Sequence, residues 1–302
     1  MVTPRRNRVD LHTHSDRSDG VMPPQALYEA MRTWGLRLAA LADHDTLAGY
    51  RELAALGLGG EPAPAGPQLV PAVEINSVAD TTLLEMGIEL EEGELHVLGY
   101  GVDAADAAFE AHLAAQRASR RTRLLLIIEA LRGLGKPIDD EIAAVLQTEE
   151  ALGRPHIARA MVAAGHVENV QQAFDEWIDR SGPAYVPRQG LRTREAIDAI
   201  RAAGGLPVLA HYPAAPEQTA LIRLLVDWGI GGLEVHYRRY LPETVRQVAA
   251  VCTELGLVAT GGSDYHGDGM SYAEAQATTF VPDEASEALL EALAATTAGS
   301  RS

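Results

Sequence analysis

The chain has 302 residues, 47% of them hydrophobic, a formal net charge of −17 and one cysteine, Cys252. That is enough apolar material for one large core, or for one domain with an insertion. It excludes an internal disulfide, a cysteine-rich zinc site and a protein that coats duplex nucleic acid with positive charge. The N-terminus "MVTPRRNRVDLH" has no apolar stretch of the kind a signal peptide needs. The longest apolar run, "LLLIIEAL", is too short to span a bilayer. A cytoplasmic protein with no membrane partner is the expectation.

In chain order, "RVDLH" reads as a strand, and Pro23-Pro24 opens a helix through about Trp34. "RLAALAD" is the next strand, followed by a helix from about Thr46 and a Gly/Pro-rich surface loop, "GLGGEPAPAGPQ". "LVPAVEIN" and "ELHVLGYG" are strand-like. From Asp103 to about Pro187 the pattern is helical, with breaks at Gly133–Pro137 and Gly153–Pro155. Then "GLPVLAH", "GGLEVHY" and "LVATGGSD" read as strands between helices near Glu195–Ala203, Ala220–Gly229 and Pro242–Leu255. A last strand, "ATTFV", and a helix from Asp283 close the chain. This alternation predicts an α/β fold built on a parallel sheet or barrel, with residues 7–102 and 188–297 forming the barrel and 103–187 a helical insertion.

The chemistry-bearing residues gather at the predicted strand ends. His12 and His14 lie in "DLHTHSDRSDG" with Asp19, His44 in "ADHD", Glu74 in "AVEIN", His96 in "ELHVLG", His211 in "VLAH", and Asp264 and His266 in "GSDYHG". In a parallel barrel the strand C-termini share one face, so these distant residues converge. In extended chain, positions i and i+2 point the same way, which lets His12 and His14 reach one ion together. One strand-end histidine is commonly structural; this many with no thiolate among them point to a metal site for Mn²⁺, Fe²⁺ or Zn²⁺. The donors outnumber those of one tetrahedral ion, so several ions are expected, able to bind the attacking and leaving oxygens of a displacement. His112, His166 and His236 read as surface or core residues.

These motifs, in this order from Asp10 to His266, resemble those of the polymerase-and-histidinol-phosphatase (PHP) superfamily of metal-dependent phosphoesterases. The resemblance implies a distorted seven-stranded barrel of α/β class and a trinuclear centre. His12, His14, Glu74 and Asp264 would hold one ion. Glu74, His96 and His211 would hold a second, with Glu74 bridging, and Asp19, His44 and His266 a third. Three divalent cations against three carboxylates leave about +3, a local attraction for phosphate in an acidic protein.

The insertion carries "GRPHIARAM" and "GPAYVP", which look like the cap of nucleotide-type PHP phosphoesterases. That subgroup includes 3′,5′-nucleoside bisphosphate phosphatases and 5′→3′ exoribonucleases acting on short RNA. There Arg154 and His156 match substrate-contacting residues, and the start of a helix at this point adds N–H groups that attract phosphate. One departure is "AHYPAAP", where the subgroup has an arginine nearby; Arg238 and Arg239, in "HYRRY", are candidate replacements. The acidic loop 80–94 has no reading. The expected substrate is a small phosphorylated nucleotide or a short oligonucleotide. Rival readings are a histidinol-phosphate phosphatase, an amidohydrolase on the same barrel and a non-catalytic metal-binding accessory module.

Overall fold

A computed structural model describes residues 7–299 except 60–65, 89, 91–92, 149–150 and 268. Seven strands form one sheet in sequence order: β1 Val9–Thr13, β2 Leu38–Leu41, β3 Gln68–Val78, β4 Glu94–Tyr100, β5 Leu206–Leu209, β6 Gly232–Tyr237 and β7 Val258–Gly262. The helices are α1 Pro24–Trp34, α2 Ala48–Ala55, α3 Thr81–Glu85, α4 Ala107–Gly133, α5 Asp139–Ile142, α6 Arg154–Ala163, α7 Val170–Ala173, α8 Thr193–Ala202, α9 Thr219–Trp228, α10 Pro242–Leu255, α11 Tyr272–Thr278 and α12 Asp283–Gly299. None is long and apolar enough to cross a membrane.

The first two strands are buried at every position because both faces of the sheet are covered. Val9, Leu38, Ala40, Val70, Ala72, Leu98, Tyr100 and Val208 fall at alternating positions and pack together inside the barrel. Ala285 and Leu289 of α12 join that cluster near the strand starts, leaving the strand ends open as a mouth. Past the last strand the barrel nearly closes: His14 donates from its backbone N to Tyr265 O at 3.0 Å, and Asp264 N donates to His12 O at 2.7 Å. At this seam a Cβ on Gly262 would lie 2.5 Å from both His12 Cβ and His12 N, so only glycine permits the approach.

Two expectations need correction. The sheet is mixed, because β4 pairs antiparallel with both β3 and β5. A single antiparallel strand turns its N-terminal end to the mouth, which is why His96, near the start of β4, reaches the same rim as residues at the ends of the other strands. The predicted final strand "ATTFV" does not form: its first residues complete α11, and Thr279–Val281 is irregular chain leading to α12. Val281 instead donates from its backbone N to the Asn7 side chain at 3.0 Å and adds its own side chain to the barrel interior.

Between β4 and β5 the chain is helical. Helix α4 is 27 residues long and serves two cores. Phe109 and Leu113 pack with the barrel's outer face, and Leu124, Ile127, Ile128 and Leu131 pack with Ile138, Ile142, Leu152, Ile157 and Met161 in a separate cluster. The expected breaks coincide with the end of α4 at Gly133 and the start of α6 at Arg154.

Candidate metal centre

The register of β1 against β2 shifts between Asp10 and Thr13, where Leu11 and His12 oppose Ala40 alone. This bulge turns both Leu11 and His12 inward. Beyond it, a Cβ on Gly20 would lie 2.3 Å from His14 O, so the turn carrying Asp19 folds back tightly against the strand exit. Asp43 holds that turn from below. It accepts from Ser15 N at 2.7 Å, Ser15 Oγ at 2.7 Å and Ser18 Oγ at 2.8 Å.

All nine rim residues meet. Glu74, fully buried, stands at the centre and divides its two oxygens. Oε1 faces His96 Nδ1 at 2.8 Å and His211 Nε2 at 3.0 Å. Oε2 faces His12 Nε2 and His14 Nε2, both at 3.2 Å, and His44 Nδ1 at 3.0 Å. Asp264 Oδ1 lies 3.6 Å from His12 Nε2 and 3.3 Å from His14 Nε2. Asp19 is ringed by His266 Nε2 at 3.2 Å, His44 Nε2 at 3.5 Å and His14 Nδ1 at 3.8 Å. Three donor groups result: His12, His14 and Asp264; Glu74, His96 and His211; and His14, Asp19, His44 and His266. Within each, one ligand atom per residue lies within 4.8 Å of the others. His14 belongs to two of them, one through each ring nitrogen.

The donor set fits divalent cations. His14 Nδ1, Asp19 Oδ1, His44 Nδ1 and Glu74 Oε2 are buried without hydrogen-bond partners, although buried polar atoms are nearly always paired. His12 Nε2 and His14 Nε2 face each other at 3.1 Å. Lone pairs aimed at common points are what shared cations require. Burial alone would raise the Glu74 carboxyl, but the imidazoles of His44, His12 and His96 hold it well below the usual range. Asp19 and Asp264 are likewise held well below by their imidazole neighbours against the effect of burial. Backbone strain concentrates here too: Asp45, His211 and Asp264 have positive φ values of 49°, 27° and 48°, and they are the non-glycine residues with positive φ among those described.

Over the mouth lies a cavity of about 140 Å³. Asp19, His44 and His96 line its floor, Arg120, Arg123, Arg154 and Arg188 its walls, and Leu124, Ile127, Leu152, Ile157 and Phe174 its far side. A second cavity, of about 410 Å³, opens beside His96 and His211 toward Tyr212 and Gln218. Arg154 borders both, its guanidinium 3.1 Å from Asp179 Oδ1 and 5.5 Å from the Phe174 ring centre. His156 accepts at Nδ1 from Gly153 N at 3.1 Å, and burial pushes its pKa down. Arg238 donates from Nε to Ser263 O at 2.8 Å and Arg239 is exposed; neither lines these two cavities.

Several residues at this site lie outside the nine predicted ligands. Asp45 takes Arg120 Nε and Arg188 Nη2, the latter at 2.9 Å, and Asn76 accepts from Arg120 Nη2 at 2.8 Å while its amide meets His96 Nε2 at 2.7 Å. Glu234 meets His12 Nδ1 at 2.9 Å. One signal was available for the arginines. Gln116, Arg120 and Arg123 continue the apolar stripe of Phe109 and Leu113 toward Ile127 on α4, and polar residues inside a buried helical stripe call for buried partners.

No profile of a known protein family matches the chain. Individual proteins do. It is 32% identical over 264 residues to the 5′-3′ exoribonuclease of Haemophilus influenzae, covering 86% of this chain and 90% of that protein. It is 28% identical over 267 residues to the 3′,5′-nucleoside bisphosphate phosphatase of Chromobacterium violaceum, covering 86% and 88%. A solved structure from Bifidobacterium adolescentis, described as a metal-dependent phosphoesterase, superposes with a TM-score of 0.77 at 29% identity over 95% of this chain and 96% of that one. With that agreement along nearly its whole length, and with the strand-end imidazoles and carboxylates brought to one rim, the chain belongs to the PHP superfamily of metal-dependent phosphoesterases.

Proposed function

We propose that the enzyme hydrolyses a phosphoester of a nucleotide, either the 3′-phosphate monoester of a nucleoside 3′,5′-bisphosphate or the 5′-terminal phosphodiester of a short 5′-phosphorylated oligoribonucleotide. The observation that carries this is the cavity over the rim. A chain of net charge −17 gathers four arginines there, between the donor cluster and an apolar wall. One end suits a phosphoryl group, the walls a second phosphate, and the far side a base or sugar. The relatives named above act on substrates of this kind. The small volume and the acidic surface favour the small substrate over a long RNA.

The donors would hold three divalent cations, Mn²⁺ first, with Fe²⁺ or Zn²⁺ as alternatives. His12, His14, Glu74 and Asp264 form one set, Glu74, His96 and His211 the second, and Asp19, His44 and His266 the third. Such ions, when bound, acidify a water and polarise phosphoryl oxygens. The chain's own residues do the rest. Arg154 and its neighbours neutralise the phosphate that is not cleaved and orient it, and Leu124, Ile127 and Leu152 exclude water from the far side.

A rate panel on 3′,5′-bisphosphoadenosine, 5′-phosphorylated RNA and histidinol phosphate tests the reading. The nucleotides should lead; preference for histidinol phosphate overturns it, and bound metal with neither phosphate nor mononucleotide released from any of the three turns it toward an accessory module. Arg154→Ala should raise KM by roughly tenfold or more, the worth of one charge-assisted hydrogen bond, while metal content stays unchanged.

A further inference from the structure

We infer that Glu234 is a positioning residue that locks two of the donor groups into one unit: it fixes the ring orientation of His12 and pins the backbone of His211. The inference rests on the proposed ligand roles of those histidines.

Glu234 is in register with Thr260 on β7, just before a second register shift, this one in β6 between Glu234 and His236. Its side chain points into the barrel and is 1% exposed. Among the described residues no arginine or lysine pairs with it. Its Oε1 lies 2.9 Å from His12 Nδ1, and its Oε2 accepts from His211 N at 2.9 Å. Both oxygens are therefore engaged, and Glu234 falls outside the three donor groups.

Each contact does something particular. A carboxylate facing Nδ1 makes that nitrogen the proton donor and leaves the lone pair on Nε2, the atom that faces Glu74 and Asp264. His211 follows β5 with φ at 27°, a conformation that L-residues adopt at a penalty. The bond to its N–H holds this bend, and the bend aims the ring at Glu74 Oε1. As a result the His12 and His211 rings stack, with centroids 5.8 Å apart and planes 16° apart, although 199 residues separate them in sequence. His12 serves the group with His14 and Asp264, and His211 the group with His96. One buried carboxylate thus ties the two together.

The test is titration of chelator-treated protein with Mn²⁺ alone, read by the free-Mn²⁺ signal in electron paramagnetic resonance, together with thermal unfolding of the metal-free form. Glu234→Gln keeps the shape but cannot serve both contacts as acceptor. Its Mn²⁺ affinity should fall by about 10–100-fold. Metal-free Tm should change little, and excess Mn²⁺ should restore kcat with KM unaltered. Glu234→Asp, which keeps the charge but is one methylene too short to span both partners, should also bind weakly. Wild-type affinity in either variant overturns the inference, as does a lowered metal-free Tm with unchanged affinity, which marks a purely structural carboxylate. His12→Ala serves as the reference. If it binds Mn²⁺ like the wild type, the ligand assignment fails and this inference with it; if it loses metal while Glu234→Gln does not, only this inference fails.

Discussion

Two kinds of buried carboxylate stand within a few residues of each other, and they behave oppositely. Asp10 and Asp43 are saturated with donors. Asp10 accepts from Ser263 N at 2.8 Å, Ser263 Oγ at 2.7 Å, Tyr272 Oη at 3.0 Å and the Gln276 amide. Asp19, Glu74 and Asp264 face mostly imidazoles, and Asp19 and Glu74 each keep an oxygen without a partner. Burial pushes the first pair up. In the second set the imidazoles outweigh burial and hold the acids well below their usual range. A carboxylate whose lone pairs are filled by serine, tyrosine and glutamine fastens a seam; one whose neighbours are other lone-pair donors waits for a cation. Asp45 is a third case, buried against the guanidinium groups of Arg120 and Arg188.

Removing members of each class sharpens the contrast. Asp264→Ala should lose metal and activity together, by more than the roughly 10–100-fold that an outer partner costs; elemental analysis beside a phosphate-release assay checks this. Asp45→Asn should lose no metal. It leaves two buried guanidinium groups short of a charge partner and should destabilise the fold by about 3–5 kcal/mol at neutral pH. Arg120 and Arg188 depress the Asp45 pKa against the upward push of burial. Its stabilisation is therefore full above the unfolded value of about 3.9 and disappears as pH falls through the lower folded value. Urea titrations of metal-free protein at pH 7, 4 and 3 should show the gap between wild type and variant closing only in the acid range. The smallest effect belongs to Asp10→Asn. Its new NH₂ meets the Gln276 amide donor, at about 1–3 kcal/mol for a donor left unsatisfied. Metal stoichiometry should stay at the wild-type level; a loss of metal here would erase the distinction between the two classes.

The same contrast explains what could be read from the residues alone. His12, His14, His44 and His266 stood out because imidazoles at successive strand ends have no common packing purpose. Asp10, Asp43 and Asp45 sit in those same motifs, yet nothing local tells a ligand from a fastener; the difference lies in Ser263, Tyr272, Gln276, Arg120 and Arg188, far away in the chain. The direction of β4 was hidden for a similar reason. Strand patterning has the same period whichever way a strand runs, and only its pairing with β3 and β5 decides. "ATTFV" has strand composition, but Val281 is buried with the cluster inside the barrel and its backbone N is taken by the Asn7 side chain. Glu234 was invisible because one acid inside a strand-like run carries no spacing signal.

Helix α4 has a mechanical consequence. Phe109 and Leu113 clamp one end against the barrel and Leu124 to Leu131 the other in the second cluster, so Arg120 and Arg123 ride midway on a rod held at both ends. Each added residue rotates a helix by about 100°. A single insertion between Leu113 and Arg120 would turn both guanidinium groups and the Leu124–Leu131 face together by about that angle relative to the barrel, so the arginines could not keep Asp45 and Asn76 while the second cluster kept its packing. The phase of one helix thus fixes at once how the barrel mouth is lined and how the second cluster sits on it.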